Sequence, residues 1–299
     1  MTPTSRSSDG GIGSFLTEEL ARIGVHRFTL IDPDRVERSN LPPLIGAVPG
    51  DVGRTKVSVA GEQVSRANPT ARTNQVCAPV EECADALRNV DLIVASVDQV
   101  STRLWLNHFA VDRHIPYVDA SLEIFVEEDT VTGMIGAVQC IVPPVTACFD
   151  CRNRGDMDRA KVEEMSEDEL EASLERGYIE GTELAPRPAV IHLNGQVASM
   201  AVGLISKLLT GYEPPAAMLY YDGLEDTISK NSLGDPGAVP SDHCVTCTYE
   251  HVLGLADPKV DTGAVEVVEM EGAVLPEASW YPPAVTHFFD EELRIHENG

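Results

Sequence analysis

Positive charge is scarce in this sequence. Only 22 Lys and Arg face 48 Asp and Glu, for a net charge of −26. Lysine is rarest, at Lys56, Lys161, Lys207, Lys230 and Lys259. A general nucleic-acid binder needs a basic footprint, and docking on anionic membrane needs one too, so both classes are excluded. No apolar run reaches about 18 residues, which excludes a transmembrane helix of the usual length. Met1 to Asp9 holds no apolar core and does not read as a secretory signal. Cysteines are few and odd in number, seven in all, and four of them fall in two Cys-x-x-Cys pairs. That usage favours a metal over disulfides and a cytoplasmic location. What remains is ordinary: 299 residues at 43% hydrophobic content, enough for one large domain or two small ones with a real core.

Residues 10 to 120 alternate helix and strand signals. Gly10-Gly11-Ile12-Gly13 opens a helix whose apolar residues at 15, 16, 20 and 23 make one stripe, and Gly24 stops it. Arg27 to Ile31 reads as a strand ending at Asp32. Residues 55 to 67 read as a helix broken by Asn68-Pro69. Strands follow at Thr73 to Val76, Val90 to Ser96 and Pro116 to Ala120, with a helix from Thr102 to Arg113. This alternation predicts a Rossmann-like, three-layer α/β/α fold around a mixed, mostly parallel sheet.

Thr130 to Val142 reads as an antiparallel strand or hairpin. Residues 152 to 188 are polar and acidic, with a short helix expected from Ser166-Glu167-Asp168-Glu169. Val197 to Leu209 is apolar on nearly every side and predicts a buried helix. Met218 to Asp222 is expected to be the last strand of the main body. One domain is expected over residues 1–254, with a crossover region at about 152–188. An acidic tail follows over 255–299, with at most a strand or two such as Val265 to Met270.

Cys148-Phe149-Asp150-Cys151 and Cys244-Val245-Thr246-Cys247 each offer two sulfurs from a tight turn. Zn²⁺ takes four ligands in a closed tetrahedron at structural sites, and these two turns supply all four. The alternative is two disulfides or inert thiols. Cys77, Cys83 and Cys140 read as small buried hydrophobes. The glycine turn before the first helix suits a phosphate, because helix-start N–H groups point outward and glycine permits close approach. Asp32, at the end of the next strand, suits ribose hydroxyls. A dinucleotide-binding oxidoreductase would look the same to this point.

The order of motifs separates these readings. Leu30-Ile31-Asp32-Pro33-Asp34-Arg35-Val36-Glu37-Arg38-Ser39-Asn40-Leu41 is followed by Asp51-Val52-Gly53-Arg54-Thr55-Lys56. Val97-Asp98-Gln99, Arg103 and Asn107 come next. From about Gly10 to Cys247 the chain resembles the superfamily of ubiquitin-activating enzymes and their bacterial relatives ThiF, MoeB and HesA. The resemblance implies adenylation of the C-terminal Gly-Gly of a ubiquitin-like or sulfur-carrier protein, in a homodimer or heterodimer. It implies that Gly10, Gly11 and Gly13 cradle ATP phosphate, Asp32 and Asp34 serve the ribose side and Asn40 lines the nucleotide site. It further implies that Lys56 contacts phosphate, Asp98 holds Mg²⁺, Arg103 supports the Asp98 loop and the four cysteines hold structural Zn²⁺. Taken singly, Lys56 and Asp98 would read as a solvated surface pair.

Three departures shape the expectation. Thr2-Pro3-Thr4-Ser5-Arg6-Ser7 stands where the family has an apolar central strand. The expectations are a start further upstream, a sheet completed by another domain, or a defective nucleotide site. Pro43 stands at a family arginine position, with Arg35, Arg38 or Arg54 as possible substitutes. No cysteine lies between residues 152 and 243, so adenylation is expected without the chain's own thioester; His192 in this stretch reads as a core or nucleotide-pocket residue. The competing expectation is an inactive scaffold subunit of a heteromeric activating enzyme.

Overall fold

The computed structural model describes residues 11–127, 130–152, 160, 163, 165 and 190–247. Gly10, the short helix expected from Ser166, most of the crossover and the tail lie outside the described residues. Seven strands are described: β1 (Arg27–Ile31), β2 (Arg72–Val76), β3 (Ile93–Ala95), β4 (Tyr117–Glu127), β5 (Thr130–Ile141), β6 (Met218–Asp222) and β7 (Thr227–Asn231). The helices are α1 (Gly11–Arg22), α2 (Lys56–Ala67), α3 (Ala84–Leu87), α4 (Val100–Asp112), α5 (Phe149–Arg152) and α6 (Ile191–Thr210).

Local chemistry sets most of these ends. Gly24 takes φ +102 after α1 and Gly211 takes φ +66 after α6, the left-handed turns that glycine tolerates best. The Thr55 hydroxyl accepts the Ser58 N–H at 3.3 Å and caps α2, which satisfies one of the orphan donors of a helix start.

β1 pairs in parallel with β2. β3 to β7 form a second sheet in sequence order, parallel at β3–β4 and antiparallel from β4 onward. The sheet is therefore mixed, with more antiparallel pairing than expected. Among the described residues no ladder joins β1 to β3, although Ile31 packs in the same apolar cluster as Ile93. β7 follows the strand expected to be last.

The three layers follow from the two-residue period of β4 and β5. Val118, Ala120, Val138 and Cys140 face α1 and α6 in one cluster with Leu16, Leu20, Leu193, Val197 and Ile205. Tyr117 and Ile141 face the other way, into a cluster with Leu104, Phe109 and Phe149. α6 spends its apolar surface here: Val197, Ala198, Ala201 and Ile205 are all fully buried within the chain. At the two ends of the same helix Ile191 and Leu209 stay exposed. At the far end of the β4–β5 hairpin, Phe125, Val126 and Val131 stay exposed.

No helix among the described residues is long and apolar enough to cross a membrane.

Candidate functional site

The start of α1 is crowded in a way that only small residues permit. A Cβ on Gly11 would stand 2.2 Å from the Asn194 amide nitrogen and 3.5 Å from the Pro43 carbonyl oxygen. A Cβ on Gly13 would stand 3.1 Å from the Ser96 hydroxyl. The first turn of α1 thus meets the end of β3, the first turn of α6 and the loop after Asn40 at one point. Ser14 locks this junction. Its hydroxyl donates to the Gly11 carbonyl at 2.7 Å and accepts the Ile45 N–H at 3.1 Å. Buried Gln63 on α2 donates to the Ser14 carbonyl at 3.1 Å. Backbone N–H groups at such a helix start are a site for an anion.

The strand end carries the acids. The Asp32 carboxylate accepts the Asp34 N–H at 2.8 Å, an Asx turn that closes the strand. Burial pushes Asp32 above the usual carboxylate range, partly offset by the Lys56 ammonium and the Asp34 N–H. Lys56, 5% exposed, sets its Nζ 3.0 Å from Asp34 Oδ2, and its N–H bonds the Asp34 carbonyl at 2.9 Å. Asn40 is buried; its side-chain oxygen accepts the Glu37 N–H at 3.1 Å and holds the turn.

Asp98 is exposed just beyond β3. Arg103 extends to β4 instead of to the Asp98 loop: its Nε meets Asp119 at 2.9 Å, a second guanidinium nitrogen completes the pair, and Ser121 accepts at 3.3 Å. Its backbone N–H donates to the Gln99 carbonyl at 3.1 Å, next to Asp98.

The four paired cysteines come together. Their sulfurs all lie within 4.8 Å of one another. Cys148 lies 3.8 Å from Cys151 and 3.6 Å from Cys244, while Cys151 lies 3.4 Å from Cys247. A tetrahedral ion with bonds of about 2.3 Å would space its sulfurs by roughly 3.8 Å. The Ser241 N–H donates to the Cys151 sulfur at 3.4 Å. The cluster fits a metal ion, and none of the four cysteines is in a disulfide.

One expectation about a single residue fails. Cys77 is exposed, because β2 ends at Val76 and the next residue leaves the sheet; its thiol lies 3.5 Å from the Pro33 carbonyl. His192 is exposed in the first turn of α6, which removes the core alternative and keeps the nucleotide-pocket one. The residue of that stretch that reaches the glycine turn is Asn194, which sequence reasoning missed. Ser14, Gln63 and Ser96 were missed as well; their polar side chains meet the glycine turn only in three dimensions.

A model of the ThiF family matches residues 9–237. The ubiquitin-like modifier-activating enzyme 5 of Aedes aegypti is 28% identical over 286 residues, covering 91% of this chain and 65% of the relative. The enzyme of the same name from Arabidopsis thaliana is 26% identical over 285 residues, covering 88% and 60%. The NEDD8-activating enzyme E1 catalytic subunit of Dictyostelium discoideum is 28% identical over 156 residues, covering 48% and 33%. The chain therefore spans less than two thirds of the length of these relatives. Among solved structures, E. coli MccB superposes with a TM-score of 0.61 at 20% identity, over 81% of this chain and 64% of that one. A likeness at that identity speaks for the fold.

Proposed function

The chain belongs to the ThiF family, and from that premise we propose that it is an ATP-dependent adenylyltransferase acting on the C-terminal carboxylate of a carrier protein. The carrier is a ubiquitin-like or sulfur-carrier protein ending in Gly-Gly. The observation that supports this reading is the glycine turn at the start of α1, where glycines at 11 and 13 let Asn194 and Ser96 approach the backbone closely and the helix-start N–H groups suit an anion.

In the proposed reaction a carboxylate oxygen of the carrier attacks the α-phosphorus of ATP. One P–O bond forms, the bond to the β-phosphate oxygen breaks, and pyrophosphate leaves with the electron pair. Such chemistry asks for positioning and charge neutralisation more than for covalent help. Gly11 and Gly13 take the phosphates, with Gly10 assigned beside them. Asp32 holds the ribose, with Asp34 fixing its turn, and Asn40 keeps the loop over the nucleotide in shape. Lys56 faces the developing negative charge. Asp98 is the residue for Mg²⁺, which neutralises phosphate charge. Cys148, Cys151, Cys244 and Cys247 hold Zn²⁺, a closed site without a place for substrate. With no cysteine between residues 152 and 243, the reading is adenylation without the chain's own thioester, or transfer of the acyl group to a separate protein. Dimer formation through the exposed Phe125 and Val131 end of the hairpin belongs to the same reading.

Exchange of radiolabelled pyrophosphate into ATP, dependent on Mg²⁺ and on a Gly-Gly-tailed carrier, tests this directly. Absence of exchange with every carrier encoded beside the gene rejects it. A second reading, an inactive scaffold subunit, draws on Pro43 and on Thr2-Pro3-Thr4-Ser5-Arg6-Ser7 standing where the family has an apolar strand. It requires that this chain bind no ATP, so micromolar binding in a calorimeter would discard it.

Two further results are expected. ATP should slow alkylation of Cys77 several-fold, since that thiol lies against Pro33, between the two acids assigned to the ribose side. Equal alkylation rates with and without saturating ATP would move the nucleotide elsewhere. The second concerns pH. Asp32 serves ribose hydroxyls as a carboxylate, and burial raises its pKa. ATP affinity should therefore fall on acidification before ordinary surface carboxylates protonate. The stability effect has the opposite sign. Between the ordinary and the raised pKa the folded chain binds more protons than the unfolded one, so this group's contribution to stability falls as pH rises through that window. Asp32→Asn should thus weaken ATP binding by about tenfold to a hundredfold, the worth of a hydrogen bond to a charged group. At neutral pH it should leave the melting temperature unchanged or higher. A lowered melting temperature at neutral pH would refute the buried-charge argument.

A further inference from the structure

We propose that Asn107 and Arg103 are positioning residues that bolt the metal-binding turns to α4, so that the bound metal sets where Asp98 stands. The inference rests on the reading of Asp98 as the Mg²⁺ residue. Its structural half stands without that reading.

α4 begins at Val100, two residues after Asp98. One turn on, Arg103 holds its guanidinium 4.7 Å over the Phe149 ring. The fully buried Asn107 accepts the Phe149 N–H on its side-chain oxygen at 2.9 Å. Phe149 is itself fully buried and follows Cys148 directly. His108 Nε2 lies 2.9 Å from Asp150 Oδ2. That same carboxylate oxygen accepts the hydroxyl of Thr246, which sits between Cys244 and Cys247. Three residues on one side of α4 thus grip the first cysteine turn, and Asp150 carries the grip across to the second. The two turns are 96 positions apart in sequence, so a metal shared by their four sulfurs would add the strongest tie between them to the Asp150–Thr246 hydrogen bond.

The other end of the linkage is equally fixed. Arg103 pairs with Asp119 on β4, which is 2% exposed, and Asp119 also accepts the Tyr117 hydroxyl at 2.9 Å. Breaking such a buried pair leaves an uncompensated charge, which strongly favours a single arrangement. A helix of 13 residues is stiff over its roughly 20 Å length, so its first turn follows the part that is clamped. The Arg and Asn of the Asp98 motif therefore act away from the nucleotide.

The test has two arms. In the first, zinc is removed from the wild-type chain with a chelator and amide hydrogen exchange is followed by residue. Protection at Arg103 and Leu104 in the first turns of α4 should fall about tenfold or more, the mark of a local unit losing its anchor. Loosening confined to residues 148–152 and 241–247 would overturn the proposal. In the second arm, Phe149→Leu keeps all four cysteines but removes the ring under Arg103. Zinc should stay at one per chain. The Mg²⁺ concentration needed for half-maximal ATP binding should rise about fivefold to tenfold, on the scale of an outer-shell change. A purely structural role for Phe149 would lower the melting point and leave the Mg²⁺ requirement unchanged, and that result overturns the proposal too. Wild-type chain that binds no ATP at any Mg²⁺ concentration would defeat the adenylation reading, with the exchange arm still deciding the bolt.

Discussion

Cys148→Ser should release the metal and cost the chain most of its stability. Metal analysis should drop from one zinc per chain to none, and the melting temperature should fall by about 10 °C or more. The magnitude follows from the closure that the ion provides. Two turns far apart in sequence meet at the sulfur cluster and at the Asp150–Thr246 hydrogen bond, beside the Ala147 N–H to Ala238 carbonyl bond. Structural zinc is worth roughly 10–16 kcal/mol in zinc-finger peptides, where it is the whole folding free energy. Here a large core of buried residues carries the rest of the fold, so only several kcal/mol are at stake. For a domain of this size each kcal/mol moves the melting temperature by about 2–4 °C. Cys247→Ser, on the other turn, should match Cys148→Ser in both readouts, because a four-ligand site fails on the loss of either. Cys77→Ser should leave the zinc content unchanged, since that thiol is exposed and outside the cluster. A Cys148→Ser chain that retains one zinc and its melting temperature would remove the metal from the account.

How far the sequence could be read depends on where its punctuation lies. α1, β1 and α2 emerge close to their ends, because Gly24 and Asn68-Pro69 break the chain where the helices stop. α6 is legible as buried from its apolar run, although its first two turns, from Ile191, mix polar residues into the pattern and hid its true start. β7 is invisible to hydrophobic pattern: Thr227 to Lys230 are all exposed, so nothing apolar marks the strand and only pairing with β6 defines it. β4 runs to Glu127 because its outer half pairs with β5 across a register shift at Phe125/Val126, a property of the hairpin and not of any short window.

The candidate site divides in the same way. Residues carried by ordered motifs, such as Asp32, Lys56 and the four cysteines, were legible because spacing along the chain is part of their chemistry. Asn194 and Gln63 reach the glycine turn from helices 183 and 52 positions away, counted from Gly11, and no local rule points to them. Arg103 was legible as a motif residue but its target was not. A long side chain on α4 has several carboxylates within reach, and only the folded β4 selects Asp119. Pro43 stands as a departure from the motif whose carbonyl now has a place, 3.5 Å from where a Gly11 side chain would begin. The backbone at this position packs against the glycine turn even though the side chain offers no charge.

Lys56→Met should reduce pyrophosphate exchange about a hundredfold to a thousandfold, the usual loss when a preorganised charge facing the transition state is removed. It should also cost stability, and separating the two effects is what makes the result informative. The ammonium is 5% exposed and pairs with Asp34 at 3.0 Å, while the Asp34 side chain keeps 23% of its exposure. Removing one partner of a buried pair costs about 3–5 kcal/mol, and this half-open pair should lose less, about 1–3 kcal/mol. Asp32 suffers as well. Lys56 is the main charge holding its pKa down against burial, so without it Asp32 climbs further and its carboxylate becomes harder to keep. ATP affinity should therefore fall with the rate, and more steeply in acid than at neutral pH. Adding Asp34→Asn to Lys56→Met removes the carboxylate left without a partner. The double variant should recover much of the lost melting temperature, because the two changes share one interaction and are not additive. It should recover none of the exchange rate, because the charge facing the phosphates is still gone. A Lys56→Met chain that exchanges pyrophosphate within a fewfold of wild type would take Lys56 out of the reaction. A double variant that regains the rate along with the stability would mean that Lys56 serves only to hold Asp34.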